Sequence, residues 1–386
     1  MTTRRQVSGD ELAAMARAVE LAALGAGTAL PNPVVGCVLI DPSGRVLGEG
    51  FHQHPGGPHA EVAALAAAGE RAAGSTAVVT LEPCNHTGRT GPCSEALIAA
   101  GVTRVVLAVR DPWPPAAGGA DRLRAAGVQV VELPAVTRSA AGEASAGAPD
   151  GAAVTGSEGD ADPVAAAVDA AEDVNRVWLG AMRNRRPFVT VKAGMTIDGR
   201  VAAADGSTRW ITSPQSRRDV HELRRRVDTI MVGIGTVLAD DPQLTARDDA
   251  GALAGRQPLR VVVDSHGRTP GTARVLDASA ETLVATTERF GSTRDGRVDL
   301  GALLDGLFRR GCRHVLLEGG PRLAAAFLDA GLVDEVLVYV APLLLGAGRI
   351  VLEDGAVTSL ADAHRAELRE IRRFGPDVAL RYRMLR

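Results

Sequence analysis

Four residues in the first quarter of the chain could do metal chemistry together: His59, Glu61, Cys84 and Cys93. Imidazole nitrogen and thiolate sulfur are the donors that zinc takes in a tetrahedral shell. A catalytic zinc site reserves the fourth position for water, which the metal acidifies toward neutrality. His59, Cys84 and Cys93 would leave that position open. Glu61 stands two residues past His59, near enough to move a proton without serving as a ligand. The set describes a hydrolytic zinc site. Its alternative is a closed structural site, which needs a fourth protein ligand, and His86 is the nearby candidate. Cys37 and Cys312 sit in apolar runs and are expected to be buried packing residues.

The order His-x-Glu and then Pro83-Cys84 is the signature of zinc deaminases. Eight residues, Asn85 to Pro92, separate the two cysteines, whereas nucleoside and transfer-RNA deaminases place theirs two residues apart. With that spacing the run from Leu81 to Cys93, Leu-Glu-Pro-Cys-Asn-His-Thr-Gly-Arg-Thr-Gly-Pro-Cys, resembles the bifunctional riboflavin-biosynthesis deaminase–reductase family. Pro31-Asn32-Pro33-Val34-Val35-Gly36, Gly50-Phe51-His52 and Pro58-His59-Ala60-Glu61 precede it in the family's order. The resemblance runs over nearly the whole chain. One departure stands out: in Asp111-Pro112-Trp113-Pro114 the family usually has Asn where Trp113 stands.

A chain of 386 residues exceeds one ordinary core, so two domains are expected. We place the boundary at residues 185 and 186. Hydrophobic residues make up 46%, yet no apolar run approaches the length of a membrane span, and Met1 to Asp10 lacks a secretion pattern. Four Cys, two of them wanted as thiolates, suit a reducing compartment, so a cytoplasmic enzyme is expected. A net charge of −3 gives no long-range pull toward nucleic acid or an anionic membrane, and 3% aromatics argues against a stacking grip on single strands. Association into a homo-oligomer is left open.

Ser139 to Asp162 is rich in Ala, Gly, Ser and acidic residues and holds one Val as its sizeable apolar residue, so it reads as a flexible acidic insert. Ahead of it, periodicity predicts a helix capped by Asp10 and running to Gly25, a hairpin of Val34 to Ile40 and Val46 to Gly50, and then alternating helices and strands. His59 opens an Ala-rich helix, Ala77 to Thr80 is a strand, Cys93 starts a helix, Arg104 to Val109 is a strand and Asp121 to Ala126 a helix. This predicts an α/β/α sandwich. His59 and Cys93 then lie at helix N-termini, where the dipole favours thiolate, and Cys84 leaves a strand end.

After the insert, a helix from Pro163 to Arg183 leads to an apolar strand, Pro187 to Ala193. His314 to Leu317 reads as a strand ending in Glu318-Gly319-Gly320, with Pro321 at a helix start. Such a turn lets backbone approach a pyrophosphate, although it is equally compatible with a plain tight turn. Gly233-Ile234-Gly235 lacks a third Gly at Rossmann spacing, which disfavours that fold. Ser213-Pro214 begins a helix on which Arg217 and Arg224 share a face, either a phosphate clamp or a solvated surface. Asp334 to Pro342 and Asp377 to Arg383 are expected strands.

Lys192 to Arg200, Ser207 to Ser213, Val232 to Pro242, Leu244-Thr245, Arg247, Asp264-Ser265 and Glu318 to Pro321 resemble the same family's reductase half. The resemblance implies an α/β protein with a cytidine-deaminase-like sandwich followed by a domain similar to dihydrofolate reductase. It implies Zn2+ on His59, Cys84 and Cys93, with Glu61 as the proton carrier. For NADPH it selects Gly194, Trp210, Thr236, Asp240, Ser265 and the run Gly320, Pro321, Arg322, Leu323, Ala324, Ala325 and Ala326. For a phosphoribosyl pyrimidine substrate it selects Asn32, His52 and His86 in the first half and Thr208, Arg224, Leu244, Arg247 and Glu318 in the second. The implied reactions are hydrolytic deamination of the pyrimidine and then NADPH-dependent reduction of its ribosyl group, with Asp198 or Glu318 steering the proton. Two rivals are a nucleoside deaminase fused to an unrelated reductase-like module and a regulatory protein with structural zinc.

Overall fold

In the computed structural model, which describes residues 7–87, 91–134, 162–353 and 356–385, the first helix is α1 (Gly9–Leu24). Its cap is Ser8, not the expected Asp10. Ser8 Oγ accepts from the Glu11 amide at 3.1 Å while Glu11 Oε2 accepts from the Ser8 amide at 2.8 Å, a reciprocal box that satisfies two otherwise orphaned donors. Asp10 falls in the first turn, where its charge suits the dipole.

Two units follow, Met1–Arg183 and Asn184–Arg386. The first contains β1 (Gly36–Ile40), β2 (Val46–Phe51), α2 (Ala60–Ala68), β3 (Thr76–Leu81), α3 (Cys93–Ala99), β4 (Arg104–Val109), α4 (Gly119–Ala125), β5 (Gln129–Glu132), α5 (Pro163–Val174) and α6 (Arg176–Asn184). Its sheet runs β2-β1-β3-β4-β5, with β1 antiparallel to both neighbours and β3, β4 and β5 parallel. Alternation along β1 decides the layers. Val38 and Ile40 pack with Met15 of α1 and Val168 of α5, while Cys37 and Leu39 pack with Ala60 and Ala64 of α2 and Leu97 of α3. Helices thus cover both faces, and the unit is the expected α/β/α sandwich.

The Ala-rich sequence of α2 answers to the strand beneath it. A Cβ on Gly50 would come within 2.3 Å of the Ala60 carbonyl oxygen, and one on Gly48 within 2.3 Å of that of Ala64, so helix and strand backbones approach as closely as sequence permits. That packing fixes where α2 begins, and therefore where His59 stands.

Two boundaries differ from expectation for one reason. The segment expected as a single helix from Pro163 to Arg183 breaks at Asn175, and β1 starts at Gly36 instead of Val34. The buried Asn175 side chain accepts from the Val34 amide at 2.9 Å and donates to its carbonyl at 2.5 Å, taking both backbone groups that strand pairing would use. The Ser139 to Asp162 insert lies outside the described residues except for Asp162, whose side chain caps α5.

The second unit holds β6 (Phe188–Thr196), β7 (Arg200–Ala202), α7 (Pro214–Arg226), β8 (Thr229–Gly233), α8 (Ile234–Asp240), β9 (Leu259–Val263), β10 (Thr282–Ala285), α9 (Thr287–Phe290), α10 (Leu300–Arg309), β11 (His314–Glu318), α11 (Pro321–Asp329), β12 (Glu335–Ala341), β13 (Arg349–Ile350), β14 (Ala366–Phe374) and β15 (Asp377–Met384). Its main sheet runs β10-β9-β8-β11-β6-β12-β15-β14, parallel from β10 to β12, with β15 and β14 joined antiparallel. The chain lays down β6, skips a position to β8, proceeds outward to β10, and returns to insert β11 between β8 and β6. Such a reversal opens a crevice at the carboxyl ends of its strands, here beyond Gly233 and Glu318. Edge strand β14, Ala-Glu-Leu-Arg-Glu-Ile-Arg-Arg-Phe, gave no strand signal because charged residues dominate it; Glu370 pairs with Arg381 of β15 at 3.1 Å.

All four cysteines are free thiols, with Cys37 and Cys312 packed into cores as expected. Among the described residues no helix is long and apolar enough to cross a membrane.

Candidate active sites

His59 caps α2, Cys93 is the first residue of α3, and Cys84 follows β3. The fold brings them together: one donor atom from each lies within 4.8 Å of the others. His59 presents Nδ1, 3.2 Å from Cys93 Sγ and 3.5 Å from Cys84 Sγ. The hydrogen bond from Cys93 and then that from His59 pull the Cys84 thiol well below its ordinary value, and the hydrogen bond with Cys84 together with burial pushes Cys93 up. The hydrogen bond to Cys84 raises His59 as well. One nitrogen and two sulfurs, one of them shifted toward thiolate, form a donor set that fits zinc. His86 is not part of it, which removes the fourth ligand a closed site would need.

Glu61, in the first turn of α2, is 3% exposed and faces this cluster. Burial is the main cause that pushes its carboxyl up to about 7, with the charge on Cys84 adding to it. A carboxyl that titrates near neutrality both accepts and releases a proton readily.

Around the cluster lies a cavity of about 390 Å³ that Asn32, His52, His59, Glu61, His86 and Trp113 help to line. His52 is buried, which lowers its pKa, and its Nδ1 lies 3.1 Å from the Pro58 carbonyl oxygen. A carbonyl only accepts, so Nδ1 carries the proton and Nε2 accepts from the Asn32 amide at 3.1 Å. Asn32 and His52 are thus coupled before any ligand arrives. The His86 Nδ1 is buried with no partner among the described residues.

Sequence reasoning passed over two carboxylates here. Glu82, buried after β3, accepts from the amides of Asp111, Gly118 and Ala120 at 3.1, 3.2 and 3.0 Å, tying the 111–120 loop to the strand that delivers Cys84. Asp111 also lines the cavity, and burial pushes its carboxyl up to about 6. The Leu-Glu-Pro-Cys motif contains Glu82, but no local pattern reveals what its carboxylate holds.

In the second unit a cavity of about 920 Å³ lies at the predicted crevice, lined by Gly233 to Thr236, Ser265 and Gly320 to Leu323 among others. The N-termini of α8 and α11 both open onto it, and neither is capped by a side chain. Gly319 and Gly320 have φ of 80° and 84°, which turns the chain sharply from β11 into α11. Uncapped helix amides with glycine at the approach form a cradle that fits the diphosphate of a dinucleotide. Of the residues expected at the cofactor, Thr236, Ser265, Gly320, Pro321, Arg322, Leu323 and Ala326 line this cavity. Ala324 and Ala325 are buried, Ala324 against a neighbouring cavity. Gly194 lines a neighbouring cavity of about 450 Å³ that shares Gly320 and Pro321. Trp210 is 66% exposed with Arg217 stacked 4.2 Å from its ring centroid, and the Asp240 carbonyl accepts from Arg209 at 3.4 Å. Neither residue lines the cavity.

The substrate candidates converge in part. Arg224 grips Glu318 with two hydrogen bonds of 2.7 and 2.9 Å and donates to the Thr245 carbonyl at 3.0 Å. Lys192, missed in the sequence, puts Nζ 3.2 Å from Glu318. Burial opposes ionisation of Glu318, yet Arg224 and Lys192 outweigh it and hold the carboxyl far below its ordinary range. Asp198 is likewise pulled down to about 2, chiefly by Thr196, and accepts from the Gly346 amide at 2.7 Å. Both are carboxylates at neutral pH, so neither has a proton to give. Arg247 is bound within its own loop, to Gly251 and Gln243, and Thr208 is half-buried. Leu244 buries its side chain in the core with φ of 55°, so its backbone is what it can offer a ligand. Arg217 and Arg224 do not clamp one group: the first stacks on Trp210, the second pairs with Glu318.

Residues 9–109 match the cytidine and deoxycytidylate deaminase zinc-binding region, and residues 187–380 match the RibD C-terminal domain. The riboflavin biosynthesis protein RibD of Mycobacterium tuberculosis is 44% identical over 380 residues, covering 98% of each chain. That of Escherichia coli K12 is 42% identical over 389 residues, 95% of this chain and 97% of the other. The chain belongs to the RibD family. Solved RibD structures agree: that of Acinetobacter baumannii superposes with a TM-score of 0.78 at 36% identity, covering 98% of this chain and 99% of the other. A Thermotoga maritima deaminase/reductase gives 0.76 at 30% identity over 97% and 99%. As a RibD, the protein is a bifunctional deaminase and reductase of riboflavin biosynthesis, with Zn2+ and NADPH as its cofactors.

Proposed function

We propose that the first unit deaminates diaminohydroxyphosphoribosylaminopyrimidine and that the second reduces the product, 5-amino-6-(5-phosphoribosylamino)uracil, to its ribitylamino counterpart. These are the activities named for the Thermotoga maritima relative. The observation that carries the reading is the meeting of His59, Cys84 and Cys93 beside the buried Glu61. Zinc, when bound by those three residues, activates the attacking water. Glu61 takes a proton from that water and returns it to the departing ammonia, a task that its pKa near 7 suits. Asn32, His52 and His86 line the cavity as polar contacts for the pyrimidine.

In the second unit NADPH, when bound, would supply the hydride. The backbone of 320–323 and Thr236 would hold it, and Glu318, fixed by Arg224 and Lys192, would offer a carboxylate to the ribose hydroxyls of the substrate. The substrate is a small molecule, and the four free thiols suit a cytoplasmic setting. A paired assay on the diaminopyrimidine phosphate, reading ammonia together with loss of NADPH absorbance, tests the whole. Stoichiometric release of one and consumption of the other is expected. Turnover of cytidine in its place would favour a nucleoside deaminase.

A further inference from the structure

The chain has three Trp, and two of them, Trp113 and Trp178, line the deaminase cavity. Trp178 is largely buried on α6, as a core indole would be. Trp113 is different. It is 42% exposed, on a loop between Pro112 and Pro114, yet its backbone is fixed on both sides: its amide donates to Asp111 Oδ1 at 2.8 Å, and its carbonyl accepts from Ala116 and Ala117 at 2.9 and 3.1 Å. The loop is pinned again where Glu82 accepts from the amides of Asp111, Gly118 and Ala120. Flanking prolines restrict the backbone further. A half-exposed indole gains little from burial, so such restraint secures no core contact. What it secures is the position of an aromatic surface at the cavity.

The neighbour is His86. The two rings stand 5.7 Å apart at 83°, and the His86 Nδ1 is buried with no hydrogen-bond partner among the described residues. The corner therefore joins an apolar π surface to a hydrogen-bonding edge, the two features by which a planar heterocycle is gripped.

We infer that Trp113 is a substrate-binding residue peculiar to this deaminase, set where the family usually has Asn: the surface on which the aminopyrimidine ring stacks while His86 meets its polar edge. This rests on the pyrimidine substrate proposed above. An indole offers a broader and more polarisable π face than a phenyl ring, and an aliphatic side chain of similar bulk offers none. Stacking and mere apolar cover therefore make different predictions.

The test uses the full-length zinc-loaded enzyme with diaminohydroxyphosphoribosylaminopyrimidine, comparing W113F, W113L and W113A by ammonia release. The Michaelis constant is expected to rise in the order Trp, Phe, Leu, Ala, with W113A roughly tenfold above wild type, equivalent to about 1.4 kcal/mol, and kcat falling by a smaller factor. Adding the deaminated product should quench indole emission in the wild type, and W113F should lose the larger part of that quench. A W113L variant with wild-type KM overturns stacking in favour of simple cover, and a W113A variant with wild-type KM overturns any role in binding. If the wild-type enzyme releases no ammonia, the substrate reading itself fails, a result separate from either.

Discussion

At the first site, four side chains from the start of α2, the end of β3 and the start of α3 aim at one small volume, and two of their ionisations are shifted toward use. At the second, a cavity of about 920 Å³ is lined by helix starts and glycines. The buried charges of that unit, Arg224, Lys192 and Glu318, lie outside its lining and are spent largely on one another. The contrast follows from what each must hold. A metal ion is a point, and a few directed donors with a buried proton carrier define it. A dinucleotide is long and is gripped by backbone, so its site is distributed. A point site should fail abruptly when one atom is changed, and a distributed one should degrade by degrees.

The largest effect expected from this difference is at Glu61. Replacing its carboxyl by an amide in Glu61→Gln leaves the three metal donors intact but removes the group that exchanges the proton. Deaminase kcat should fall roughly a thousandfold, the scale of a lost general acid–base, while zinc content and reduction of the deaminated substrate stay unchanged. Ammonia release, metal analysis and NADPH oxidation on one preparation would check this. Persistent deamination with zinc in place would remove Glu61 from the chemistry.

Arg224→Leu comes next, because it leaves Glu318 buried with half its compensation. The second unit should lose about 3 kcal/mol, at the low end for breaking a buried pair since Lys192 remains. The pH dependence has a definite sign. The folded-state pKa of Glu318 lies below its unfolded value, so its contribution is present above the ordinary carboxylate range and is lost as pH falls through that range toward the folded value. Denaturant titrations from neutral to acid pH should show this acid limb in the wild type and a flatter one in the variant.

The same contrast explains what could be read in advance. His59, Cys84 and Cys93 are rare residue types at element boundaries that local pattern predicts, so their convergence needed only the right order of strands and helices. The alternation of β1 and the Ala-rich face of α2 were equally local. The rest depends on partners distant in sequence. Asn175 breaks a helix because it binds Val34, Lys192 matters because β6 lies beside β11, and Arg217 leaves the face that it shares with Arg224 because Trp210 is there to stack on. Helical periodicity tells which residues share a face, not what the face meets. Leu244, selected for substrate, is a core residue whose backbone alone is available, and a residue's name does not distinguish the two.

Gly320→Ala probes the distributed site at its sharpest point and should have the smallest effect of the three. Gly320 caps α11 with φ of 84° and ψ of 89°, a region that an L side chain adopts only under strain. An added Cβ would meet Thr236 Oγ1 at 3.5 Å and Leu323 Cβ at 3.7 Å, ordinary contacts, so space is not the obstacle and the cost is conformational. That strain, about 1–2 kcal/mol, is relieved by rotating the first turn of α11 away from the cavity. NADPH should then bind roughly tenfold more weakly, seen as a raised KM for the cofactor with deamination untouched. If Gly320→Ala costs stability but leaves the NADPH KM unchanged, the α11 amides are not what holds the cofactor, and the second site would have to be rebuilt around side chains after the manner of the first.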